Sequence, residues 1–309
     1  MKSPGTNPPT DPVGWLRADA CQLDDLIALT HQVVTLETYP HASTIEHDTV
    51  IYDSAALREA TASPTERAAV MADVLLNGPG VVVFKNAFAL DVVEAATVAF
   101  NDIIVYERDA GIGGGDHFAR PGDNDRVWNA LEKLALRDPR VFAEYYDNEV
   151  LALMSQAWLG PRYQVTSQVN VVNPGGAQQA PHRDYHLGFM TDEVAEQFPA
   201  HVHRLSPMLT LQGAVAHCDM PVESGPTMYL PHSQKYEAGY VAWRRPEFKQ
   251  YFAEAHVQLP LSSGDAVFFN PALLHGAGSN LTADIKRMAN LLQVSSALGR
   301  AMEDIDRRG

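Results

Sequence analysis

The order of hydrophobic and polar positions makes the first half of the chain predominantly helical. Apolar residues recur at helical spacing over residues 23–34, between acidic positions. Residues 63–66, Ser-Pro-Thr-Glu, have the form of a capping box with proline at the first helical position. They predict a helix that ends at the Asn-Gly-Pro sequence of residues 77–79. Residues 91–94 repeat the capping pattern and predict a second helix that reaches about Glu107.

Strand patterns replace the helical ones after about residue 160. An apolar run at 81–84 predicts one early buried strand, and residues 163–172 then alternate polar with β-branched positions. Four more strand-like runs follow, separated by turns rich in glycine and proline: 208–216, 227–230, 266–270 and 288–295. A helix-like insert at about 237–255 interrupts them. This pattern predicts a mainly β fold with flanking α-helices, either an antiparallel barrel or a sandwich.

The size and composition indicate one ordered domain. A chain of 309 residues, 46% hydrophobic and 20% charged, can bury a sizeable core. Residues 1–13 are rich in proline and are expected to form a flexible arm, with a single domain over 14–309. Within that domain we expect a helical part to about residue 155 and a β core over about 160–297.

Charge and cysteine content narrow the choice of partners. The 23 Lys and Arg residues against 38 Asp and Glu residues leave a net charge of −15, which repels phosphate backbones and anionic membrane surfaces. Residues 1–15 lack the apolar segment of a signal peptide, and no run approaches about 18 consecutive apolar residues. The two cysteines, Cys21 and Cys218, exclude a disulfide framework and a cysteine-based zinc site. We expect a cytoplasmic protein that acts on a small molecule and binds neither nucleic acid nor membranes, as a monomer or homodimer.

One His-x-Asp sequence has the spacing of a metal site. If His182 and Asp184 lie on a strand, their side chains project to the same face and place an imidazole beside a carboxylate. With one more histidine they would complete a 2-His-1-carboxylate triad, which leaves three positions of an octahedral Fe(II) open. A second His-x-Asp sequence, His217 and Asp219, ends an apolar strand and leads into Met220-Pro221, where Asp typically closes a turn. The polar surroundings of the first motif favour it as the site.

The third ligand is expected on a distant strand. His275 ends a hydrophobic run and is followed by small residues, Gly-Ala-Gly-Ser, that would let a ligand approach the backbone. Twelve residues later, Arg287 opens the next strand-like run. Its guanidinium can clamp the far carboxylate of a dicarboxylic acid through two parallel hydrogen bonds, although an arginine at a strand start is more often part of an ordinary ion pair.

Taken together, these motifs resemble the phytanoyl-CoA dioxygenase family of Fe(II)- and 2-oxoglutarate-dependent oxygenases. The resemblance spans about residues 75–297 and rests on the order of the motifs. The motifs are His182-x-Asp184, the turn Ser224-Gly-Pro-Thr227, Pro231-His-Ser-Gln234, and His275-Gly-Ala-Gly-Ser-Asn followed by Arg287. The family's Asn-Gly and Pro-Gly-Ser-His elements stand here as Ser-Gly and Pro-His-Ser.

The resemblance implies a double-stranded β-helix, the jelly roll of cupins, in which His182, Asp184 and His275 hold Fe(II) and dioxygen reacts. It implies further that Gln179, Thr227 and Arg287 contact the cosubstrate 2-oxoglutarate. Two departures from the family pattern stand out. The usual spacing from the second histidine would select Lys286 as the cosubstrate cation, and Arg287 is preferred because it alone has the planar fork. The small hydroxyl residue two positions after that histidine is Ala277 here.

Hydroxylation of an unactivated carbon is the outcome that the resemblance favours, with release of succinate and carbon dioxide. Members that halogenate replace the metal carboxylate with Ala or Gly, whereas Asp184 is retained here. The alternatives are a cupin-type isomerase or hydrolase with a non-redox metal, and a non-catalytic β-sandwich binding protein.

The substrate is expected to be a secondary metabolite or a lipid-derived acid. A glycine-rich loop at 111–128 is a candidate lid. The alternative interpretation is that it is an ordinary surface loop. Tyr185 and His186 are candidate substrate contacts, and His186 shares the strand parity of the two ligands before it. His232 fits a structural turn better than a ligand role.

Overall fold

A computed structural model describes residues 14–60, 62–112 and 123–306 of the chain. The predicted arm at 1–13 and most of the predicted lid at 111–128 lie outside these residues. Within the described ranges, no helix is both long enough and apolar enough to cross a lipid bilayer.

In the described ranges, seven helices precede the longest β-strands, and all of them except the first pack on one face of the large sheet. They are α1 (Leu23–Thr30), α2 (Ser54–Glu59), α3 (Pro64–Leu76), α4 (Leu90–Asp109), α5 (Ala130–Arg137), α6 (Pro139–Tyr146) and α7 (Glu149–Leu159). The capping box that opens α3 is confirmed: the Glu66 backbone N–H donates to Ser63 Oγ at 3.2 Å, and the Ser63 N–H donates to Glu66 Oε2 at 2.7 Å. The second predicted capping box is wrong. Helix α4 begins at Leu90, and Asp91 accepts only from the neighbouring Val92 N–H.

The described residues contain ten strands, which form two sheets. They are β1 (Thr44–Glu46), β2 (Thr49–Asp53), β3 (Val81–Lys85), β4 (Asn124–Val127), β5 (Tyr163–Val172), β6 (Thr210–Ala216), β7 (Thr227–Tyr229), β8 (Ala266–Phe269), β9 (His275–Ala277) and β10 (Arg287–Ser296). The five strand-like runs predicted after residue 160 correspond to β5, β6, β7, β8 and β10.

The larger sheet has the order β1-β2-β3-β8-β6-β10-β5-β4, and β7 pairs with β9 in the smaller one. Only β2 and β3 run parallel; the other neighbours are antiparallel. Residues of both sheets line one cavity, so the two sheets enclose it. This is the arrangement of the predicted jelly roll.

The inner and outer faces of the large sheet have different environments. On β10, Met288 and Val294 point outward and belong to a core that the helices cover. The alternate positions Arg287, Leu291 and Gln293 line the cavity. Because side chains alternate along a strand, the register that turns Met288 and Val294 outward also turns Arg287 towards the cavity.

The region between β7 and β8 holds two helices where one was predicted. They are α10 (Gly239–Ala242) and α11 (Pro246–Ala255), which follow two short helices before β6, α8 (Asp192–Ala195) and α9 (Ala200–Leu205). Pro246 explains the division, because proline lacks the N–H that a continuous helix requires and is tolerated at the first turn. The insert packs on α1 through an apolar cluster that includes Leu26, Phe248 and Phe252.

Candidate functional site

Two histidines face each other across a single pair of backbone hydrogen bonds. The His182 N–H donates to the His275 carbonyl at 2.9 Å, and the reverse bond measures 3.1 Å. The structure places His182 in this isolated bridge and not in the regular strand that was predicted. The chain stays extended for two more residues, and the Asp184 N–H donates to the Pro271 carbonyl at 3.2 Å.

The three candidate metal ligands converge on one point. Asp184 Oδ1 lies 3.5 Å from His182 Nε2, and Asp184 Oδ2 lies 3.4 Å from His275 Nε2. One donor atom from each residue can be chosen such that all three lie within 4.8 Å of one another. Two imidazoles and one carboxylate in this arrangement fit one face of an octahedral Fe(II) site.

Hydrogen bonds select the ligand nitrogen of each imidazole. His182 Nδ1 lies 2.9 Å from the Ala180 carbonyl oxygen, and His275 Nδ1 lies 2.9 Å from the Leu273 carbonyl oxygen. A carbonyl oxygen only accepts, so each Nδ1 carries the proton. Each Nε2 faces Asp184 and is therefore the nitrogen that would bind a metal, once it carries no proton.

The Asp184 carboxylate is held in its ionised form. Burial raises its pKa, but the neighbouring His182 and His275 and a hydrogen bond from Gln212 outweigh this and bring the pKa well below its usual range. Gln212 Nε2 donates to Asp184 Oδ2 at 2.6 Å. The carboxylate is thus charged and oriented before any metal arrives.

Gln212 is a functional residue that the sequence analysis missed. It lies on β6, where every other position is apolar or small apart from Thr210, and it is 7% exposed. A glutamine at an inward position of an apolar strand was the available signal, because a buried amide requires polar partners.

Replacing Gln212 with leucine is expected to weaken metal binding by about 10–100-fold, because the variant removes the group that orients the Asp184 carboxylate. The measurement is a titration with Co(II), a spectroscopic substitute for Fe(II). Gln156→Leu on the exposed side of α7 is the matched control and should bind Co(II) like the wild type. Equal affinity of the Gln212 variant and the wild type would contradict the orienting role.

The triad opens onto a cavity of about 1260 Å³ between the two sheets. Its lining includes all three triad residues and the three predicted cosubstrate contacts, Gln179, Thr227 and Arg287. A cavity of this size holds a cosubstrate together with a second molecule.

Arg287 is a buried cation that faces this cavity. The residue is 6% exposed, and burial lowers the pKa of its guanidinium to about 10, so it stays charged at neutral pH. Among the described residues, no group forms a hydrogen bond or ion pair with this guanidinium. A desolvated charge without a partner is costly, and an anionic ligand would supply the partner. The adjacent Lys286 is exposed to solvent and does not line the cavity.

Gln179 and Thr227 flank the second histidine. Gln179 Oε1 accepts from the Ala277 N–H at 3.2 Å, and the Gln179 N–H donates to the Ala277 carbonyl at 2.8 Å, which fixes the end of β9. Thr227 pairs with the same residue from β7 on the other side. Both side chains line the cavity.

The small residues after His275 make room for the protein's own chain. A β-carbon at Gly276 would lie 3.2 Å from the Gln179 carbonyl oxygen, and one at Gly278 would lie 2.3 Å from Gln258 Nε2. The expectation that these glycines admit a ligand to the backbone is therefore wrong, because neighbouring segments fill that space.

Tyr185 and His186 occupy different environments. Tyr185 is 1% exposed and lines the cavity, whereas His186 does not. His186 Nδ1 instead lies 3.4 Å from Ser206 Oγ, and burial lowers the pKa of this imidazole. The predicted shared parity with His182 fails because the backbone turns to positive φ at Tyr185 (62°) and His186 (44°), which ends the extended segment.

The second His-x-Asp sequence serves the fold. His217 Nδ1 lies 2.7 Å from Thr97 Oγ1 and its Nε2 lies 2.8 Å from the Tyr145 hydroxyl, beneath the helical layer. Asp219 Oδ1 accepts from the Ser263 N–H at 3.0 Å, so it links its own loop to a turn 44 residues further along the chain and does not close a local turn. His232, in a left-handed turn, contacts Lys235 Nζ at 2.9 Å, in keeping with a structural role.

Buried His217 predicts an acid-dependent loss of stability. Burial lowers its pKa from 6.5 to about 3, so the folded state keeps it neutral while the unfolded state binds a proton below 6.5. Unfolding then takes up a proton, and stability falls as the pH drops through this window. Between about pH 7.5 and pH 5.5, His217 is expected to remove about 1.4 kcal/mol of unfolding free energy.

The measurement is urea unfolding of the wild type and His217→Gln at both pH values. The glutamine variant should lose less stability on acidification by about that amount. His201→Gln, at an exposed position, serves as the control and should follow the wild type. An identical pH dependence for His217→Gln and the wild type would contradict the assignment.

Comparison with known proteins gives a family and a fold. The family model for phytanoyl-CoA dioxygenase (PhyH) matches residues 76–288. Among solved structures, AviO1 from Streptomyces viridochromogenes Tue57 is 20% identical with a TM-score of 0.54, covering 78% of this chain and 100% of its own. SnoK, a non-heme alpha ketoglutarate dependent carbocyclase from nogalamycin biosynthesis, is 20% identical with a TM-score of 0.50, covering 71% of this chain and 80% of its own.

The epimerase SnoN, in complex with Fe3+, alpha ketoglutarate and nogalamycin RO, is 18% identical with a TM-score of 0.50. The match covers 80% of this chain and 93% of SnoN. At these identities the similarity establishes the fold, which is the cupin jelly roll of these enzymes. No curated protein sequence matches the chain.

Proposed function

The chain belongs to the phytanoyl-CoA dioxygenase family, and we propose that it hydroxylates an unactivated carbon of a small molecule. Fe(II) and 2-oxoglutarate are the cofactors of this family, and the residues present fit both. His182, Asp184 and His275 would hold the metal. Arg287 would hold the far carboxylate of 2-oxoglutarate.

The observation that carries the proposal is the pairing of two features in one cavity. The triad offers two imidazole Nε2 atoms and an ionised carboxylate, and Arg287 offers a buried guanidinium that has no counter-charge among the described residues. A metal site alone would also suit an isomerase or a hydrolase. A guanidinium in the same cavity, which can donate two parallel hydrogen bonds to a carboxylate, adds the ability to recognise a dicarboxylic acid.

The chain's own residues bind and orient the cosubstrate and exclude water from the cavity. The guanidinium of Arg287 can donate two parallel hydrogen bonds to a carboxylate, and it lies on β10, whose pairing with β5 and β6 keeps it in place. Leu259, Val267 and Phe269 give part of the cavity apolar walls that keep bulk water away. When bound, the metal and 2-oxoglutarate together activate dioxygen, with release of succinate and carbon dioxide.

The retained carboxylate supports hydroxylation over halogenation. Asp184 would supply one of the three metal ligands and is held by Gln212. The carboxylate therefore occupies the coordination position that a halide would need. Oxygen transfer to carbon is the simplest outcome in which the substrate gains one oxygen atom.

The test is oxygen consumption by the Fe(II)-loaded protein with 2-oxoglutarate, during a screen of small molecules. We expect succinate release that depends on 2-oxoglutarate and rises with a true substrate, and a product that carries one atom from isotopically labelled dioxygen. Substrate conversion without oxygen consumption would identify a non-redox metal enzyme and contradict the proposal. A product without the label would contradict hydroxylation but not the dependence of the reaction on Fe(II) and 2-oxoglutarate.

A further inference from the structure

The cavity extends well beyond the space that a cosubstrate on Arg287 would fill. Arg287, Ala289, Leu291 and Gln293 follow one another on the inner face of β10 and all line the cavity. Six residues of strand at about 3.3 Å each separate Arg287 from Gln293 by about 20 Å. The end near Gln293 therefore remains for the substrate.

Three amide side chains lie at that end, and a fourth, Asn170, lies between it and Arg287. Gln168 and Asn170 lie on β5, Gln212 on β6 and Gln293 on β10, and all four line the cavity. Gln293 is opposite Gln212 in the strand register, and Gln168 is opposite Leu291, the inward neighbour of Gln293. We call this group the amide cluster. It begins at the metal site, because Gln212 is hydrogen-bonded to Asp184.

The amide cluster has unused hydrogen-bonding capacity. The Gln212 Oε1 atom and the Tyr185 hydroxyl are both buried and lack a hydrogen bond of normal geometry, although the two side chains lie close enough to interact with each other. Gln168 Nε2 donates to Glu303 Oε1 at 2.9 Å, which leaves its carbonyl oxygen to accept. In the described part of the chain, the Gln293 side chain makes no hydrogen bond. Buried polar groups normally have partners, so these atoms point to a ligand that both donates and accepts.

One acid and one base lie beside the amide cluster. Glu303 and Arg126 both line the cavity, and the charge of Arg126 acts on the pKa of Glu303, which burial raises. The Arg126 guanidinium also lies 4.7 Å from the ring centre of Trp128, another lining residue. Glu303 and Arg126 therefore offset each other, although Arg244 and Lys249 also line the cavity, and Trp128 and Tyr185 offer aromatic surface.

We propose that the amide cluster binds an uncharged, multiply hydroxylated ring compound, such as a glycoside, with its reacting carbon beside Asp184. Hydroxyl groups both donate and accept, as amides do, and a cavity of about 1260 Å³ has room for more than one ring beside the cosubstrate. A fatty acyl chain would leave the amide cluster unpaired, at a cost for each buried group. The identity of the substrate rests on the proposed function, whereas the binding site itself can be tested without turnover.

The experiment uses the full chain loaded with Zn(II), which is redox-inert, and titrates it with amygdalin, an uncharged aryl diglycoside, and with decanoate. Binding is followed by calorimetry with and without 2-oxoglutarate. We expect amygdalin to bind saturably and decanoate to bind at least about tenfold more weakly. The double variant Gln168→Leu with Gln293→Leu should weaken amygdalin binding by about tenfold or more.

Two further variants separate binding from folding. Gln293→Leu alone changes a half-buried residue without hydrogen bonds to the described chain, and it should still weaken amygdalin binding by about threefold or more. Gln156→Leu, outside the cavity, should bind amygdalin like the wild type. The proposal is overturned if amygdalin does not bind, if decanoate binds as tightly, or if the amide variants bind amygdalin normally. Failure of 2-oxoglutarate to bind would count against the proposed function instead.

Discussion

Replacing Asp184 with alanine is expected to abolish coupled turnover, with a fall in succinate release of more than about a hundredfold. Loss of a group that merely orients a metal ligand costs about 10–100-fold, and this variant removes the ligand itself. The two imidazoles that remain are 4.5 Å apart between ring centres and still face each other, but they lack the ionised group that balances the metal's charge. The measurement is succinate released by Fe(II)-reconstituted protein with 2-oxoglutarate.

The chain contains its own matched control for this variant. Asp219 follows a histidine at the same spacing, but its carboxylate accepts from the Ser263 N–H and does not line the cavity. Asp219→Ala should cost about 1 kcal/mol of stability and leave succinate release per folded molecule at the wild-type value. Turnover by Asp184→Ala at the rate of Asp219→Ala would contradict the assignment of the metal site.

Replacing Arg287 with leucine is expected to raise the KM for 2-oxoglutarate by two to three orders of magnitude. Loss of one partner from a buried charge pair costs about 2–5 kcal/mol, which is about 30-fold to several thousandfold in affinity. At saturating 2-oxoglutarate, kcat should change much less, because Arg287 holds a carboxylate that does not react. Arg287→Lys should retain part of the affinity, since lysine keeps the charge but not the planar fork.

Lys286→Leu is the control, and it tests the alternative that family spacing favours. Lys286 is exposed, precedes β10 and does not line the cavity, so its removal should leave the KM for 2-oxoglutarate within about twofold of the wild-type value. A large rise in KM for Lys286→Leu with none for Arg287→Leu would show that the cosubstrate cation was misassigned.

Much of the β core is predictable from the sequence because the evidence is local. The two-residue period of β5 and the small-residue turns between the later strands place their boundaries within a few residues of the observed ones. Strand order depends on long-range pairing and has no local signal. The addition of β1, β2 and β3 at the β8 edge, with β2 parallel to β3, could not be derived from the periodicity of those short strands.

The site shows the same division between local and distant information. His182 and Asp184 are two positions apart, so their pairing has a spacing that can be recognised in the sequence. Arg287 can be recognised because it stands at the start of a strand-like run. Gln212 contacts Asp184 from a strand 28 residues away, and Glu303 reaches the cavity from beyond the predicted β core. The environment of His186 depends on two consecutive positive φ angles, which are uncommon for residues other than glycine, so strand parity alone predicted the wrong environment.

An anaerobic titration of the protein with Fe(II) and then 2-oxoglutarate tests most directly whether the triad and Arg287 form one cofactor site. We predict a weak visible metal-to-ligand charge-transfer band that saturates at one equivalent of each, is absent in Asp184→Ala, and requires much more 2-oxoglutarate in Arg287→Leu. Absence of the band in the wild type, or a band of unchanged intensity and affinity in both variants, would contradict the assignment.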